Sequence, residues 1–378
     1  MNFNSELQDV PPYEPGKPLE LLIREYGLRP EEIIKLGSNE NPYGASPLVM
    51  EAIAEELHRV SQYPDDSYAD LKQGLARKYG VIPENIIPAC GSDQVLEFAA
   101  RTVLRPGTAV LLNRATFAMY RIYSQLCGAQ VMVTDTIEHR MDAFYELYAR
   151  NAEQQKTGAA PIRMIFLCVP CNPIGDCPPA TEVFAFIRRI NALTSQAETP
   201  MILVDAAYMD FARVRDTQRE IKPAELLAEF SNVLYTGTFS KSYGLGGMRV
   251  GYGIGPEEMI GWMYRLRSPF NLTNLTYLAA VKALQDESFV QKCGQSNFSE
   301  MRRYEELFQK LGYDYFDSYT NFITVKIHNR SAREICDNLL RKGIIVRDLT
   351  SYGLEALRIT IGRPEQNDRV LAELSAIL

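Results

Sequence analysis

Between about Ala109 and Gly255 the chain repeats one pattern: a short, unbroken apolar run, then a stretch of helical or polar character, then another run. The runs are AVLLN, QVMVT, MIFLCV, MILVDA, NVLYTG and VGYGI. A strand with one face in water alternates apolar and polar residues, so unbroken runs this short describe strands covered on both faces. The stretches between them, such as EVFAFIRRINAL at 182–193, have the amphipathic character of helices that cover such a sheet. The expectation is an α/β domain with a mostly parallel central sheet flanked by helices. Its reactive residues should lie just past the carboxyl ends of the strands.

Past about residue 271 the character changes. A charged helical stretch around EMRRYEELFQKLG, then YTNFITVKI, a helix from about Ser331, GIIVRDL and LRITIG predict a smaller α+β domain. The first forty or so residues hold Pro11, Pro12, Pro15, Pro18 and Pro30 and read as an arm. The expected division is an arm over 1–40 joining the small domain, a large domain over 41–270 and a small domain over 271–378. Residues 140–161 read as an exposed helix and loop.

Composition narrows the function. Lys plus Arg total 40 against 47 Asp plus Glu, with no dense basic run, so the footprint of a nucleic-acid binder is missing. Any bound anion must be caught by a few local residues. No apolar run approaches the roughly 18 residues that span a bilayer, and MNFNSELQDV lacks the basic and apolar regions of a signal peptide. The seven cysteines are odd in number and scattered, which fits reduced thiols and a cytoplasmic protein. Cys168 and Cys171 form C-V-P-C without a second ligand pair, and His58, His139 and His328 lie far apart, so no metal site is expected. Gly251, Gly253 and Gly255 do not make a dinucleotide fingerprint, and no GxxxxGK[ST] occurs.

Four segments near strand ends remain. In ACGSDQVLEF, small residues open a helix and leave backbone N–H groups that suit a phosphate, although Ser92 and Asp93 also read as an ordinary N-cap. In VPCNPIGD, Asn172 sits in a tight turn. MILVDAAYMDF puts Asp205 at the end of an apolar strand, where a carboxylate is costly unless it meets a cation, with Tyr208 close behind. TFSKSYGLGGMR supplies Lys241, an amine that becomes nucleophilic when desolvated, and Arg249, a fixed donor suited to phosphate. A lysine amine, an aspartate, an asparagine, a tyrosine and a phosphate cradle together match what pyridoxal 5'-phosphate requires.

With PYEPGKP, KLGSNENPYG, YPDDS, GSDQVLEFA, TFAMY, CNPIG, VDAAY, TFSKSYGLGGMRVGY, SPFNLT, TNFIT, GIIVRD and LRITIG, the chain resembles the fold-type I pyridoxal 5'-phosphate-dependent aminotransferases along nearly its whole length. Within them, in class II, it is most similar to the histidinol-phosphate aminotransferases. The resemblance implies that Lys241 holds the cofactor and shuttles the proton, that Asp205 pairs with the pyridine nitrogen, and that Asn172 and Tyr208 bond the phenolic oxygen. It implies that Phe117 stacks on the ring, and that Ser92, Asp93, Ser240, Arg249 and Thr238 form the phosphate cup. Tyr63 matches a tyrosine that reaches the neighbouring subunit's cofactor, which implies a homodimer with shared active sites. Arg358, Arg347, Asn41 and Tyr13 match substrate-side positions.

The implied reaction is transamination between L-histidinol phosphate and 2-oxoglutarate, giving imidazole acetol phosphate and L-glutamate, in histidine biosynthesis. The alternatives are an aromatic amino-acid aminotransferase and a phosphothreonine decarboxylase-like enzyme. Two departures stand out. Ala206 occupies a position that is often Glu in the family, and the longer N-P-N-N-P-T-G appears as V-P-C-N-P-I-G.

Overall fold

The computed structural model describes residues 7, 10, 27–195, 198–328 and 330–378. Tyr13 and most of the arm lie outside the described residues. Past the arm, the two-residue strand β1 (Ile34–Lys35) pairs in parallel with β11 (Ile344–Ile345).

The main sheet has seven strands. In chain order they are β2 (Ile86–Ala89), β3 (Ala109–Leu112), β4 (Gln130–Val133), β5 (Ile162–Cys168), β6 (Met201–Asp205), β7 (Val233–Thr238) and β8 (Gly251–Ile254). In space the order is β2-β8-β7-β6-β5-β3-β4. All pairings are parallel except those of β8, which runs against both β2 and β7. The reversed β8 leaves six strands pointing one way, so the chain leaves Cys168, Asp205 and Thr238 along one edge.

Alternation along each strand sends side chains to two separate cores. Ile165, Leu167, Ile202 and Val204 pack with the helices Ala69–Tyr79, Met141–Gln155 and Ala180–Ala192. Met164, Phe166, Met201 and Leu203 pack with the helices Gly91–Val103 and Glu257–Tyr264. Both faces are therefore dry, which is why these strands read as unbroken apolar runs. The helix Met141–Gln155 differs from the exposed reading of 140–161, because Met141, Phe144 and Tyr148 bury one of its faces against the sheet.

A second, antiparallel sheet has the order β12-β13-β10-β9, made from β9 (Tyr315–Phe316), β10 (Phe322–Lys326), β12 (Arg347–Asp348) and β13 (Ala356–Thr360). Its core holds Met301, Tyr304 and Phe308 of the long helix Glu287–Leu311, with Ile335 and Leu339 of Ala332–Arg341 and Val370 and Leu374 of Pro364–Ile377. Side chains start two of these elements: the Asp286 carboxylate accepts from the Phe289 N–H, and Ser331 accepts from Glu334. The main core reaches past residue 270. Ala279, Ala280 and Ala283 of the helix Asn274–Ala283, and Val290 of the long helix, still pack in it. No helix among the described residues is long and apolar enough to cross a membrane.

One glycine is dictated by this packing. A Cβ on Gly251 would run into the Ser92 backbone nitrogen and the Gly91 carbonyl carbon, where β8 meets the start of the helix Gly91–Val103. Gly261, on the exposed face of the helix Glu257–Tyr264, has nothing within 4 Å of the same point. Gly251→Ala should therefore cost about 2 kcal/mol or more through overpacking, while Gly261→Ala should gain about 0.5–1 kcal/mol of helix stability. Thermal midpoints of the two variants are expected to move in opposite directions, and movement in the same direction would contradict this packing.

Candidate active site

A cavity of about 350 Å³ opens where β5, β6 and β7 end, within the size range of small-molecule sites. Ser92, Asp93, Phe117, Asn172, Asp205, Tyr208, Thr238, Ser240, Lys241 and Arg249 all line it, joined by Met119, Cys168 and Ala207. The segments that carry them lie far apart in the chain and meet because parallel strands deliver their carboxyl ends to one place.

The cavity has an acidic end. Asp205 is 4% exposed, with Oδ2 accepting from the Tyr120 hydroxyl at 2.7 Å and Oδ1 from the Ala207 N–H at 3.1 Å. Burial raises its pKa to about 6, against the opposing effect of these donors. Tyr120 is itself fixed by stacking on Phe166, with ring centroids 4.6 Å apart. Phe117 meets Tyr120 edge-on at 5.7 Å and turns the aromatic wall into the cavity.

The other end suits an anion. Gly91, at φ +77°, opens the helix Gly91–Val103, and the Arg249 guanidinium lies over it so closely that a Cβ there would be 2.8 Å from Nη2. Arg249 also donates to Gly246 O at 3.1 Å and to Ser240 Oγ at 3.4 Å, and Ser240 Oγ in turn accepts from Thr238 Oγ1 at 3.1 Å. The Asp93 carboxylate is turned aside to accept from the Tyr123 hydroxyl at 2.7 Å, and burial raises its pKa. What Asp93 can offer an anion is thus its place in the first helical turn, with the N–H groups and dipole of that turn.

Lys241 stands with both ends in reach. Its Nζ donates to Ser38 O at 3.3 Å and lies 5.6 Å from the Tyr208 ring centroid. Burial, then the charges of Arg358 and Arg249, bring its pKa down to about 8 against the pull of Glu40 and Asp205. A neutral, nucleophilic amine is therefore accessible near neutral pH. The Tyr208 hydroxyl accepts from Asn39 Nδ2 at 2.8 Å, and burial raises its pKa.

The second sheet contributes Arg358, on β13 and 7% exposed. Its Nη1 donates to Asn172 Oδ1 at 2.6 Å and its Nη2 to Gly37 O at 2.7 Å. Arg347 is its cross-strand partner on β12. Asn41 is buried with Nδ2 donating to Ser242 O at 2.9 Å, so it braces the backbone next to Lys241 rather than lining the cavity. Tyr63 is 79% exposed and stacks on Phe270 at 4.6 Å, on the surface of this chain. The surface loop is fixed by Asp66, which pairs with Arg267 at 2.7 Å and accepts from the Phe270 N–H. Among the described residues no group of three or more His, Cys, Asp or Glu is placed to hold a metal ion.

Sequence reasoning did not single out Tyr120, Tyr123 or Asn39. Tyr120 and Asn39 stand inside motifs already noted, TFAMY and GSNENPYG, but only the fold shows what they touch. Ionisation of Asp205 is the most exposed consequence of this geometry. A carboxyl whose folded pKa is raised carries no penalty below its ordinary value, a growing one as pH rises to about 6, and the full one above. In the cofactor-free protein, Asp205→Asn should raise the thermal midpoint at pH 8 and leave it near wild type at pH 4. A wild-type midpoint at pH 8 would contradict the burial penalty.

A family model for aminotransferase class I and II matches residues 31–374. The histidinol-phosphate aminotransferase of Campylobacter concisus is 47% identical over 378 residues, covering 100% of both chains. That of Leptospira interrogans is 48% identical over 376 residues, covering 98% of this chain and 97% of the relative. Among solved structures, histidinol-phosphate aminotransferase from Sinorhizobium meliloti in complex with pyridoxal-5'-phosphate superposes with a TM-score of 0.86 at 25% identity, over 99% of this chain and 97% of that one. A Thermus thermophilus aspartate aminotransferase variant shares the fold at 18% identity, with a TM-score of 0.78 over 100% of both chains. This chain, matched along nearly its full length and gathering a buried acid, an anion cradle and a lysine around one cavity, belongs to the aminotransferase class I and II family.

Proposed function

We propose that this chain catalyses pyridoxal 5'-phosphate-dependent transamination between L-histidinol phosphate and 2-oxoglutarate, the aminotransfer step of histidine biosynthesis. The observation that carries the proposal is the placement of Lys241 in one cavity with Asp205 at one end and the Gly91 helix start with Arg249 at the other. The residues present fit the cofactor. A buried carboxylate with two neutral donors and no cation bonded to it suits a pyridinium nitrogen. Free N–H groups at a helix start, with Arg249, Ser240 and Thr238, suit a phosphate. Phe117 offers a ring face, and Asn172 and Tyr208 offer donors to the phenolic oxygen. When bound, the cofactor supplies an electron sink and a place to hold the amino group between half-reactions.

The chain's own groups do the rest. Asp205 keeps a proton on the ring nitrogen by its charge. Lys241 Nζ, with its lowered pKa, takes the proton from the substrate's Cα and returns it. Arg358 holds the anionic end of the substrate, carboxylate in one half-reaction and phosphate in the other, as a two-pronged donor whose Nη1 and Nη2 already point along separate bonds. Arg347 and Asn41 support that side, Arg347 from the neighbouring strand and Asn41 through Ser242.

We also propose a homodimer in which Tyr63 completes the partner's phosphate cup. An aromatic residue 79% exposed, stacked on the exposed Phe270 with Leu57 and Val60 also exposed, supports an interface there. The described cysteines are all free thiols, which supports a cytoplasmic setting.

Single-turnover mixing is the test of substrate. L-histidinol phosphate should discharge the cofactor's visible absorption far faster than L-phenylalanine or O-phospho-L-threonine, and faster reaction with phenylalanine would move the enzyme to aromatic amino acids. Arg358→Ala should lower kcat/KM for both histidinol phosphate and glutamate by about a hundredfold, the loss of two charge-assisted bonds. Wild-type values for either substrate would contradict a single shared anion site.

A further inference from the structure

Asn39 has no part in the roles assigned above, yet it is 1% exposed and sits in the left-handed backbone region at φ +55°. Both its backbone and its side chain are engaged. The backbone N–H donates to Thr360 Oγ1 at 3.0 Å, and the backbone carbonyl accepts from Asn321 Nδ2 at 3.0 Å. The side-chain Oδ1 accepts from Thr360 Oγ1 at 3.1 Å, and Nδ2 donates to the Tyr208 hydroxyl at 2.8 Å. The residues beside it are tied down as well, with Gly37 O bonded by Arg358 and Ser38 O by Lys241.

Counting protons fixes which end of the amide faces Tyr208. The Thr360 hydroxyl has one proton, and its oxygen already accepts from the Asn39 N–H. Turning the amide over would give that oxygen a second donor and take away the acceptor to which the Thr360 proton is bonded, so the proton goes to the Asn39 side-chain oxygen and the amide nitrogen, a pure donor, is left for Tyr208. A phenol that accepts from an amide N–H must point its own proton elsewhere, and Tyr208 lines the cavity. We infer that Asn39 is a positioning residue: held by Thr360, it fixes the Tyr208 hydroxyl as a donor into the cavity and thus onto the cofactor's phenolic oxygen. This rests on the function proposed above.

A donor to that oxygen favours its anionic form, so losing the donor raises the pH at which the cofactor-linked Lys241 gives up its proton. Asn39→Asp keeps the shape but replaces the donor with an acceptor, which turns the Tyr208 proton away from the cavity. The experiment is a pH titration of the visible absorption of the holoenzyme for wild type, Asn39→Asp, Tyr208→Phe and the double variant. Each single change should raise the midpoint by about one pH unit. The double variant should rise no further than Tyr208→Phe alone, because no phenol proton remains to be redirected. Thr360→Val, which frees the amide to turn over, should shift the midpoint in the same direction, and Thr360→Ser should restore it.

An unchanged midpoint in Asn39→Asp while Tyr208→Phe shifts would overturn the inference and leave the cofactor assignment standing. A full additional shift in the double variant would also overturn it, since only the new charge would then be acting. Equal titrations for Thr360→Val and Thr360→Ser would do the same. A wild-type midpoint in Tyr208→Phe would instead remove Tyr208 from the proposed cofactor contacts, and the inference with it.

Discussion

A carboxylate buried at the end of a central strand is the constraint on which this site depends. Asp205 loses its water when β6 is covered on both faces, and two neutral donors, Tyr120 and the Ala207 N–H, return only part of what solvation gave. Such a group carries a penalty as an anion until it meets a cation. The charge that opposes this penalty from within the protein is that of Lys241, and no cation bonds the carboxylate, so a bound group with a positive ring nitrogen is the natural partner. The fold makes this arrangement rigid. Asp205 is in register with Cys168 on β5 and Thr236 on β7, and Tyr120 is clamped against Phe166 from the adjacent strand β5.

The same cavity separates charge along its length. Arg249 and the helix start at Gly91 suit an anion, Asp205 suits a cation, and Lys241 lies where burial and the charges of Arg358 and Arg249 lower the cost of a neutral amine against the pull of Glu40 and Asp205. Arg358 adds a third fixed charge from the second sheet. It bonds Asn172, in the turn that follows β5, and Gly37, just past β1. Under the proposed function this contact links substrate recognition to cofactor binding, because the arginine suited to the substrate anion also touches an asparagine suited to the cofactor.

Much of this was legible in the sequence, for physical reasons. The unbroken apolar runs reported strands covered on both faces, except QVMVT, whose edge strand β4 has no buried residue, and the polar residues that followed the central strands marked the reactive edge. β2 was not legible. IIPA is short, contains a proline and lies outside the repeating region, and its pairing with the reversed β8 is a long-range contact. The site's supporting residues were hidden in the same way. Tyr120 meets Asp205 across 85 positions, and Asn39 meets Thr360 across 321. A hydroxyl or an amide has no local signature when its partner is supplied by the fold, whereas a lysine between serines and an aspartate ending an apolar strand conflict with their surroundings and so draw notice. The helix at 141–155 looked exposed because the segment ends in the polar run NAEQQKTG, but Phe144 and Tyr148 hold its first half to the sheet.

The central claim is that Lys241, among the lysines of this chain, is the amine held at the cofactor. Borohydride reduction of the pyridoxal 5'-phosphate-loaded protein, followed by digestion and mass analysis of the peptides, reads this directly. The account predicts the phosphopyridoxyl group on the peptide containing Lys241 and on no other, with none retained by Lys241→Ala. Label on a different lysine, or spread over surface lysines with Lys241 unmodified, would contradict it.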